Sequence, residues 1–234
     1  MYKLFKDRQA DRKQKSPQKA GILDMVRAAA LVSGDGIELQ AILDSMYFKE
    51  IPNFELVAVI SSKKGAYAMQ RALNAGVPAY VVDPELFPNM TSHSMAVANK
   101  LKDMDIELVI LAGYAEPLGV VPYQFKNQII GTYPALYPAF EDEKGDICSL
   151  VLERGIKVTG ATAYFADGDG RVGNIILQKA IEVSPEDTPE SLKQHVMEDC
   201  MWKLLTTAVS LYCSKRLTIR GSRVIIEKEK VTEE

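Results

Sequence analysis

The chain has 234 residues, of which 47% are hydrophobic and 25% are charged, and its formal net charge is −3. This length accommodates one large α/β domain, and the composition is that of a globular protein rather than a disordered or membrane-embedded one. No apolar run approaches the roughly 18 residues that cross a bilayer, and the N-terminus lacks the pattern of a secretion signal. We therefore expect a cytoplasmic protein without a membrane contact.

Charge is unevenly distributed along the chain. Residues 1–20 carry seven Lys/Arg and two Asp, a charge of +5, which leaves −8 for the remainder. We predict a solvated basic arm over residues 1–24 and one folded domain over residues 25–234, with nucleic acid an unfavoured partner. The alternative is an arm that tethers the domain to a partner enzyme or to RNA. The sequence carries no signal for the oligomeric state.

Apolar runs alternate with amphipathic segments through the first half of the chain. We predict strands at 26–32, 55–60, 79–82 and 107–112, with helices at 38–48, 66–75 and 92–104. The second half adds strands at 128–132, 158–166 and 175–183, a long C-terminal helix capped by Thr188, and a small closing hairpin over 217–227. Near-continuous apolar strands separated by helices predict an α/β, Rossmann-like, mostly parallel twisted sheet flanked by helices on both faces.

Cysteine and histidine positions give no metal or disulfide pattern. Cys200 and Cys213 fall in an apolar helical pattern and are predicted to be buried, reduced thiols. His93 and His195 are predicted on helix surfaces or as caps. The acidic segment 139–146 has four carboxylates but no recognisable ligand spacing, so we predict a solvated turn and no metal.

Five short blocks lie at the ends of predicted strands. They occupy residues 33–36, 111–114, 130–138, 160–165 and 173–178. Their order, spacing and strand context resemble the glycinamide ribonucleotide formyltransferase family, over residues 26 to about 227. The resemblance implies the formyltransferase fold, a cleft at the strand ends, and transfer of a formyl group from 10-formyltetrahydrofolate to a ribonucleotide amine in purine biosynthesis.

The resemblance also assigns binding residues. It places the substrate phosphate at the first glycine loop, formed by Gly34, Asp35, Gly36, Ile37 and Glu38. It places the folate cofactor beside Ala115, Glu116, Leu118, Asp167, Gly168, Asp169 and Gly170. The family loop carries a hydroxyl and an amide where this chain has Ile37 and Glu38, and a carboxylate there opposes a dianionic phosphate, although Glu38 also suits the first turn of a helix.

The catalytic positions depart from the family pattern. The family uses an Asn, a His and an Asp, and the matching positions of this chain are Gly131, Tyr133 and Arg171. Glycine offers no side-chain donor to an oxyanion, and tyrosine, with a pKa of about 10, is only about a thousandth ionised near neutral pH. Arginine only donates hydrogen bonds, so it cannot orient a histidine by accepting its proton.

Two hypotheses about activity follow. The first is a homologue that has lost folate-dependent formyl transfer and binds or senses a small molecule, an anion if Tyr133 and Arg171 face the old reaction centre as two donors. The alternative is an active formyltransferase with a rearranged site, in which Asp167 or Asp169 supplies the missing carboxylate.

Overall fold

A computed structural model describes residues 25–143, 145–168 and 170–228 of the chain. The predicted basic arm lies outside these residues, as does Asp169. The predicted boundary between the arm and the domain therefore stays a prediction.

Seven strands form one sheet in the order β3-β2-β1-β4-β5-β6-β7. They are β1 Val26–Val32, β2 Phe54–Ser61, β3 Ala79–Val81, β4 Leu108–Leu111, β5 Ile129–Tyr133, β6 Val158–Ala166 and β7 Val172–Glu182. The neighbours from β3 to β5 pair in parallel, whereas β6 pairs antiparallel with both β5 and β7. The predicted mostly parallel α/β sheet is confirmed.

Helices cover both faces of the sheet. They are α1 Ile37–Tyr47, α2 Tyr67–Asn74, α3 Met90–Asp103, α4 Val121–Gln124, α5 Ile147–Glu153, α6 Pro189–His195 and α7 Trp202–Cys213, with a short 3₁₀ helix at Pro84–Leu86. Side chains of β1 alternate between the faces, because successive residues of a strand point in opposite directions. Ala28 and Ala30 pack in the core beneath α1, α2 and α7, while Ala29 and Leu31 pack beneath α3.

The C-terminal helix begins at the predicted cap. The Thr188 hydroxyl accepts from the Ser191 N–H at 3.2 Å, the Thr188 N–H donates to the Ser191 hydroxyl at 2.9 Å, and Pro189 is the first helical residue. This reciprocal pair satisfies N–H groups that have no partner within the helix. Between α6 and α7 the helix contains a π-helical stretch, Val196–Met201, which the apolar periodicity does not predict. The predicted closing hairpin is confirmed as β8 Leu217–Arg220 and β9 Arg223–Ile226.

Two short helices, α4 and α5, are absent from the sequence-based prediction. Helix α5 is capped by Asp146, whose carboxylate accepts from the Ser149 N–H at 2.9 Å. Within the described ranges, no helix combines the length and the apolar character that membrane crossing requires.

Candidate ligand-binding cleft

The candidate site lies where β1, β4 and β5 end at their carboxyl edge, which is the usual ligand position in open parallel sheets. Ser33 follows β1, and its N–H donates to the carbonyl of Gly113, which follows β4, at 3.1 Å. The Ser33 hydroxyl accepts from the Ala115 N–H at 2.9 Å and lies 2.7 Å from the Ser62 hydroxyl. These contacts fix the first glycine loop against the loop that follows β4.

The first glycine loop forms the N-terminus of α1, as its sequence predicts. Gly36 has φ of +74°, and a Cβ atom there would lie 2.6 Å from Cβ of Ala68, so both the backbone angle and the contact require glycine. The Asp35 carboxylate accepts from the Ile37 N–H at 3.3 Å. Arg71 of α2 donates to the Asp35 carbonyl at 2.8 Å and to the Gln40 side chain at 2.9 Å.

Glu38 points from the first turn of α1 toward the sheet. Its Oε1 atom accepts from the Thr132 hydroxyl at 3.0 Å, and the Gly113 main chain also bonds to the carboxyl. Burial raises the pKa of Glu38 from 4.5 to about 7, and the charge of Asp35 adds to the rise, while the bonds from Thr132 and Gly113 oppose it. A carboxyl group in this state exchanges its proton near neutral pH.

Gly131 lies under the side chain of Tyr164. The two residues are cross-strand partners in β5 and β6, and a Cβ atom at 131 would lie 3.1 Å from both the Tyr164 hydroxyl and a methyl carbon of Leu111. Burial, followed by the charge of Glu38, raises the pKa of Tyr164 to about 12. The phenol therefore stays protonated and occupies the space that a side chain at 131 would enter.

Tyr133 and Arg171, the two other residues at the assigned catalytic positions, differ in exposure. The Tyr133 hydroxyl donates to the Ala139 carbonyl at 3.2 Å, and its ring packs edge-on against Tyr137 with 5.9 Å between centroids. Burial, and then the charge of Glu141, raises the pKa of Tyr133. The Arg171 side chain is exposed, and its main-chain carbonyl accepts from the Asp167 N–H at 3.2 Å.

The segments assigned to the folate edge meet each other. Gly170 has φ of +74°, and a Cβ atom there would lie 3.0 Å from Cβ of Leu118, so the turn between β6 and β7 packs on the loop after β4. A Cβ atom at Gly168 would lie 3.2 Å from the ring of Tyr123. Ala115 is exposed and Glu116 is half-buried along the same loop.

Residues outside the cleft correct one expectation and confirm two. His93 is fully buried, with Nε2 2.9 Å from the Val82 carbonyl oxygen, so its predicted surface or capping role is wrong. The reason is helical spacing, because His93 shares the buried face of α3 with Val97 and Leu101. His195 lies on the helix surface, with Nδ1 3.4 Å from Asp187, as predicted. Cys200 and Cys213 are the predicted buried free thiols.

Three of the four carboxylates in the acidic segment after β5 bond to the chain itself. Glu141 accepts from the Tyr137 hydroxyl, Glu143 pairs with Arg154, and Asp146 caps α5. The described part of the chain contains no group of three or more His, Cys, Asp or Glu that could hold a metal ion.

Comparison with known proteins agrees with this fold. Residues 26–209 match the family model described as formyl transferase. The phosphoribosylglycinamide formyltransferase of Bacillus subtilis is 30% identical over 173 residues, which is 74% of this chain and 87% of that protein. The chain therefore belongs to the formyl transferase family and, within it, to the glycinamide ribonucleotide formyltransferase family that its motifs resemble.

Other relatives are longer or are known from solved structures. The trifunctional purine biosynthetic protein adenosine-3 of Gallus gallus is 35% identical over 175 residues, which is 74% of this chain but only 17% of that protein. The structure of glycinamide ribonucleotide transformylase 1 from Symbiobacterium toebii superposes with a TM-score of 0.82 at 36% identity, covering 87% of this chain and 95% of that one. Formyltetrahydrofolate deformylase from Burkholderia mallei shares the fold, with a TM-score of 0.78 at 22% identity over 88% of this chain and 71% of that one.

Sequence reasoning missed two residues of the cleft, Thr132 and Tyr164. Both lie inside the motif blocks, yet neither carries a signal that separates a ligand contact from packing. The pairing of a glycine with a tyrosine across β5 and β6 was the available clue, and it requires the strand register.

Proposed function

We propose that this chain binds a small molecule in the cleft and does not transfer a formyl group from 10-formyltetrahydrofolate to glycinamide ribonucleotide. The observation that carries the proposal is the contact between Gly131 and Tyr164. An oxyanion donor at residue 131 would need a side chain, and the Tyr164 hydroxyl lies 3.1 Å from where that side chain would begin. The resemblance assigns the family's asparagine to this position.

Proton transfer at residues 133 and 171 is also disfavoured. The Tyr133 hydroxyl already donates to the Ala139 carbonyl, and burial raises its pKa further above the neutral range. A phenol in this state is a poor base near pH 7. Arg171 cannot accept a proton, so the pair offers no route from an attacking amine to a leaving nitrogen.

The first glycine loop supports the loss of ribonucleotide binding. The Asp35 carboxylate accepts from the Ile37 N–H, one of the donors that a phosphate at this helix end would use. Glu38 adds a second acidic group in the next turn. Two carboxyl groups at this loop oppose a dianionic phosphate, because like charges repel most strongly where water is partly excluded.

The folate edge suits folate binding better than the reaction centre suits formyl transfer. Gly170 packs directly on Leu118, and this wall, with Ala115 exposed on the same loop as Leu118, would hold the pterin end of 10-formyltetrahydrofolate, which supplies the formyl group in this family. Retention of the folate is thus compatible with loss of transfer. An anionic group on the ligand would meet Arg171 at the exposed rim.

The alternative, an active enzyme with a rearranged site, depends on a carboxylate of the turn between β6 and β7. Asp167 is exposed at this turn. A Cβ atom added at Gly173 would lie 3.0 Å from the Cβ atom of Asp167. Movement of Asp167 or Asp169 into the cleft would supply the proton acceptor that the assigned positions lack.

A turnover assay decides between the two functions. The full chain is mixed with 10-formyltetrahydrofolate and glycinamide ribonucleotide, with the Bacillus subtilis relative as the positive control, while calorimetry measures binding of the reduced folate. We expect no formyl transfer above background. Turnover that disappears in Asp167→Asn or Asp169→Asn would establish the rearranged enzyme instead.

A further inference from the structure

A small apolar cavity lies beside the end of β5, on the face of the sheet that α1 and α7 cover. Its volume is about 150 Å³, and one of its lining residues, Pro134, directly follows the last residue of β5. Six of the eight lining side chains are apolar or carry a thiol: Pro134, Ile147, Cys148, Val196, Met197 and Met201. Cys148 and Val196 belong to the core on this face, and Ile147 and Met201 pack against it.

The cavity is separate from the folate edge. Leu118, on which Gly170 packs, belongs to the core beneath α3, on the other face of the sheet. A folate held against Leu118 and Gly170 would therefore not fill the cavity.

The π-helical stretch Val196–Met201 forms one wall of the cavity. Three lining residues, Val196, Met197 and Met201, come from this stretch. Turns of this kind are rare in proteins and occur frequently at functional sites. Methionine side chains are unbranched and polarizable, so they adapt to the shape of a bound group. Both features favour a ligand contact at this wall.

Two charged residues, Asp146 and Lys193, also line the cavity, and their exposure marks the side that faces solvent. The Asp146 carboxylate accepts from the N–H and the hydroxyl of Ser149, at 2.9 and 2.8 Å. These bonds, and then the charge of Lys193, lower the pKa of Asp146. The two charges have opposite signs, so the entrance favours neither an anion nor a cation. Burial raises the pKa of Cys148 to about 11, so the thiol inside stays uncharged.

We propose that this cavity binds a compact, uncharged apolar group of a small-molecule ligand, about the size of one phenyl ring. This inference rests on the proposed function, because it names a ligand class for the same end of β5. In an engineered protein core, an apolar cavity of about 150 Å³ stays dry and takes benzene. A ribonucleotide is a poor match, because most of the lining side chains cannot hydrogen-bond its hydroxyl and phosphate groups.

The test is an NMR titration of the full chain labelled with ¹³C at the methionine methyl groups. Toluene is the probe, and phenol is the comparison of similar size, whose O–H group most of the lining side chains cannot satisfy. We expect toluene to shift the methyl signals of Met197 and Met201 saturably. Phenol should bind at least about tenfold more weakly. The signal of Met95 should not move, because this residue is exposed on α3, on the other side of the sheet.

Variants test whether toluene binds in the cavity itself. Met197→Trp adds bulk from a partly exposed position of the wall and should lower the toluene affinity at least about tenfold. Met197→Asp adds a charge without that bulk and should lower it as much, because an apolar ligand cannot compensate a carboxylate. Met95→Trp is the matched control and should bind toluene as the native chain does. A native amide spectrum for each variant shows that lost binding does not reflect unfolding.

The native chain alone can overturn the proposal. Methyl signals of Met197 and Met201 that do not move up to the solubility limit of toluene would do so, as would phenol that binds as tightly as toluene. Native toluene affinity in folded Met197→Trp and Met197→Asp variants would also contradict it. The formyl transfer assay gives a separate result, because turnover with glycinamide ribonucleotide would contradict the proposed function, whereas the toluene titration reports on the cavity.

Discussion

Two polar clusters lie next to β5, and they differ in how far the chain satisfies them. In the first, the Thr162 hydroxyl donates to the Ala135 carbonyl at 2.7 Å and accepts from the Tyr137 N–H at 3.0 Å and the Gln178 amide at 2.9 Å. In the second, the Glu38 carboxyl accepts from the Thr132 hydroxyl at 3.0 Å but forms no ion pair with a cation of the described ranges.

The difference separates two roles within one set of motifs. Both clusters come from motif blocks at the strand ends, so sequence position alone does not distinguish them. The Thr162 cluster fixes the loop after β5, because Gln178 also donates to the Tyr137 carbonyl at 3.0 Å. The Thr162 cluster is fully paired and holds the scaffold. The Glu38 carboxyl is buried without a compensating positive charge from the described residues, and burial raises its pKa to about 7.

The largest change in the free energy of unfolding is expected from Thr162→Val. This change has nearly the same shape but leaves the Ala135 carbonyl and the Tyr137 N–H without their partner, and each buried unsatisfied group costs about 1–3 kcal/mol. We expect a loss of about 3 kcal/mol in the free energy of unfolding, measured by urea denaturation. Thr162→Ser retains the hydroxyl and should recover at least half of the loss. A loss below about 1 kcal/mol for the valine variant would contradict the scaffold role.

Glu38→Gln is expected to raise the free energy of unfolding rather than lower it. Burial raises the pKa of Glu38 from 4.5 to about 7, so the folded state holds the proton more tightly than the unfolded chain does. The stability from this group is fully present below pH 4.5 and is lost as the pH rises through about 7. The variant should therefore match the native chain near pH 5 and exceed its stability by roughly 2 kcal/mol at pH 8, at about 1.4 kcal/mol per pKa unit less solvent screening.

Denaturation curves at both pH values measure this difference. Glu50→Gln is the matched control, because its carboxylate accepts an ordinary hydrogen bond from Ser45 at 2.9 Å. Equal stability of native chain and Glu38→Gln variant at pH 8 would show that the Glu38 carboxyl is not strained by its surroundings.

Much of the fold could be predicted from sequence, because apolar strand runs and capped helices are local signals. The Thr188 cap and all seven strands of the sheet are examples. The burial of His93 was missed although its spacing with Val97 and Leu101 puts it on the apolar face of α3, because a histidine on that face gives no apolar signal of its own. The contact between Glu38 and Thr132 could not be predicted either, because 94 residues separate them in the chain. Local patterns specify elements, while the cleft depends on contacts between distant ones.

Gly131→Asn tests how firmly Tyr164 occupies the space above residue 131. The new side chain must displace the Tyr164 hydroxyl or a methyl group of Leu111, each 3.1 Å from the first added atom. Overpacking of this kind costs about 1–2 kcal/mol. The cost should fall to about 0.5 kcal/mol in a Tyr164→Ala background, because neighbouring changes are not additive. Gly34→Asn, where nothing lies within 4 Å of an added Cβ atom, should be nearly neutral.

The smallest effect is expected from Tyr133→Phe. The Tyr133 hydroxyl donates to the carbonyl of Ala139, which is exposed, so water can replace the lost bond and the stability should fall by about 0.5 kcal/mol. A loss above about 2 kcal/mol in urea denaturation would contradict this expectation, because it would mean that water does not replace the lost bond. The Tyr133 hydroxyl would then belong to the scaffold, at a position that the family resemblance assigns to catalysis.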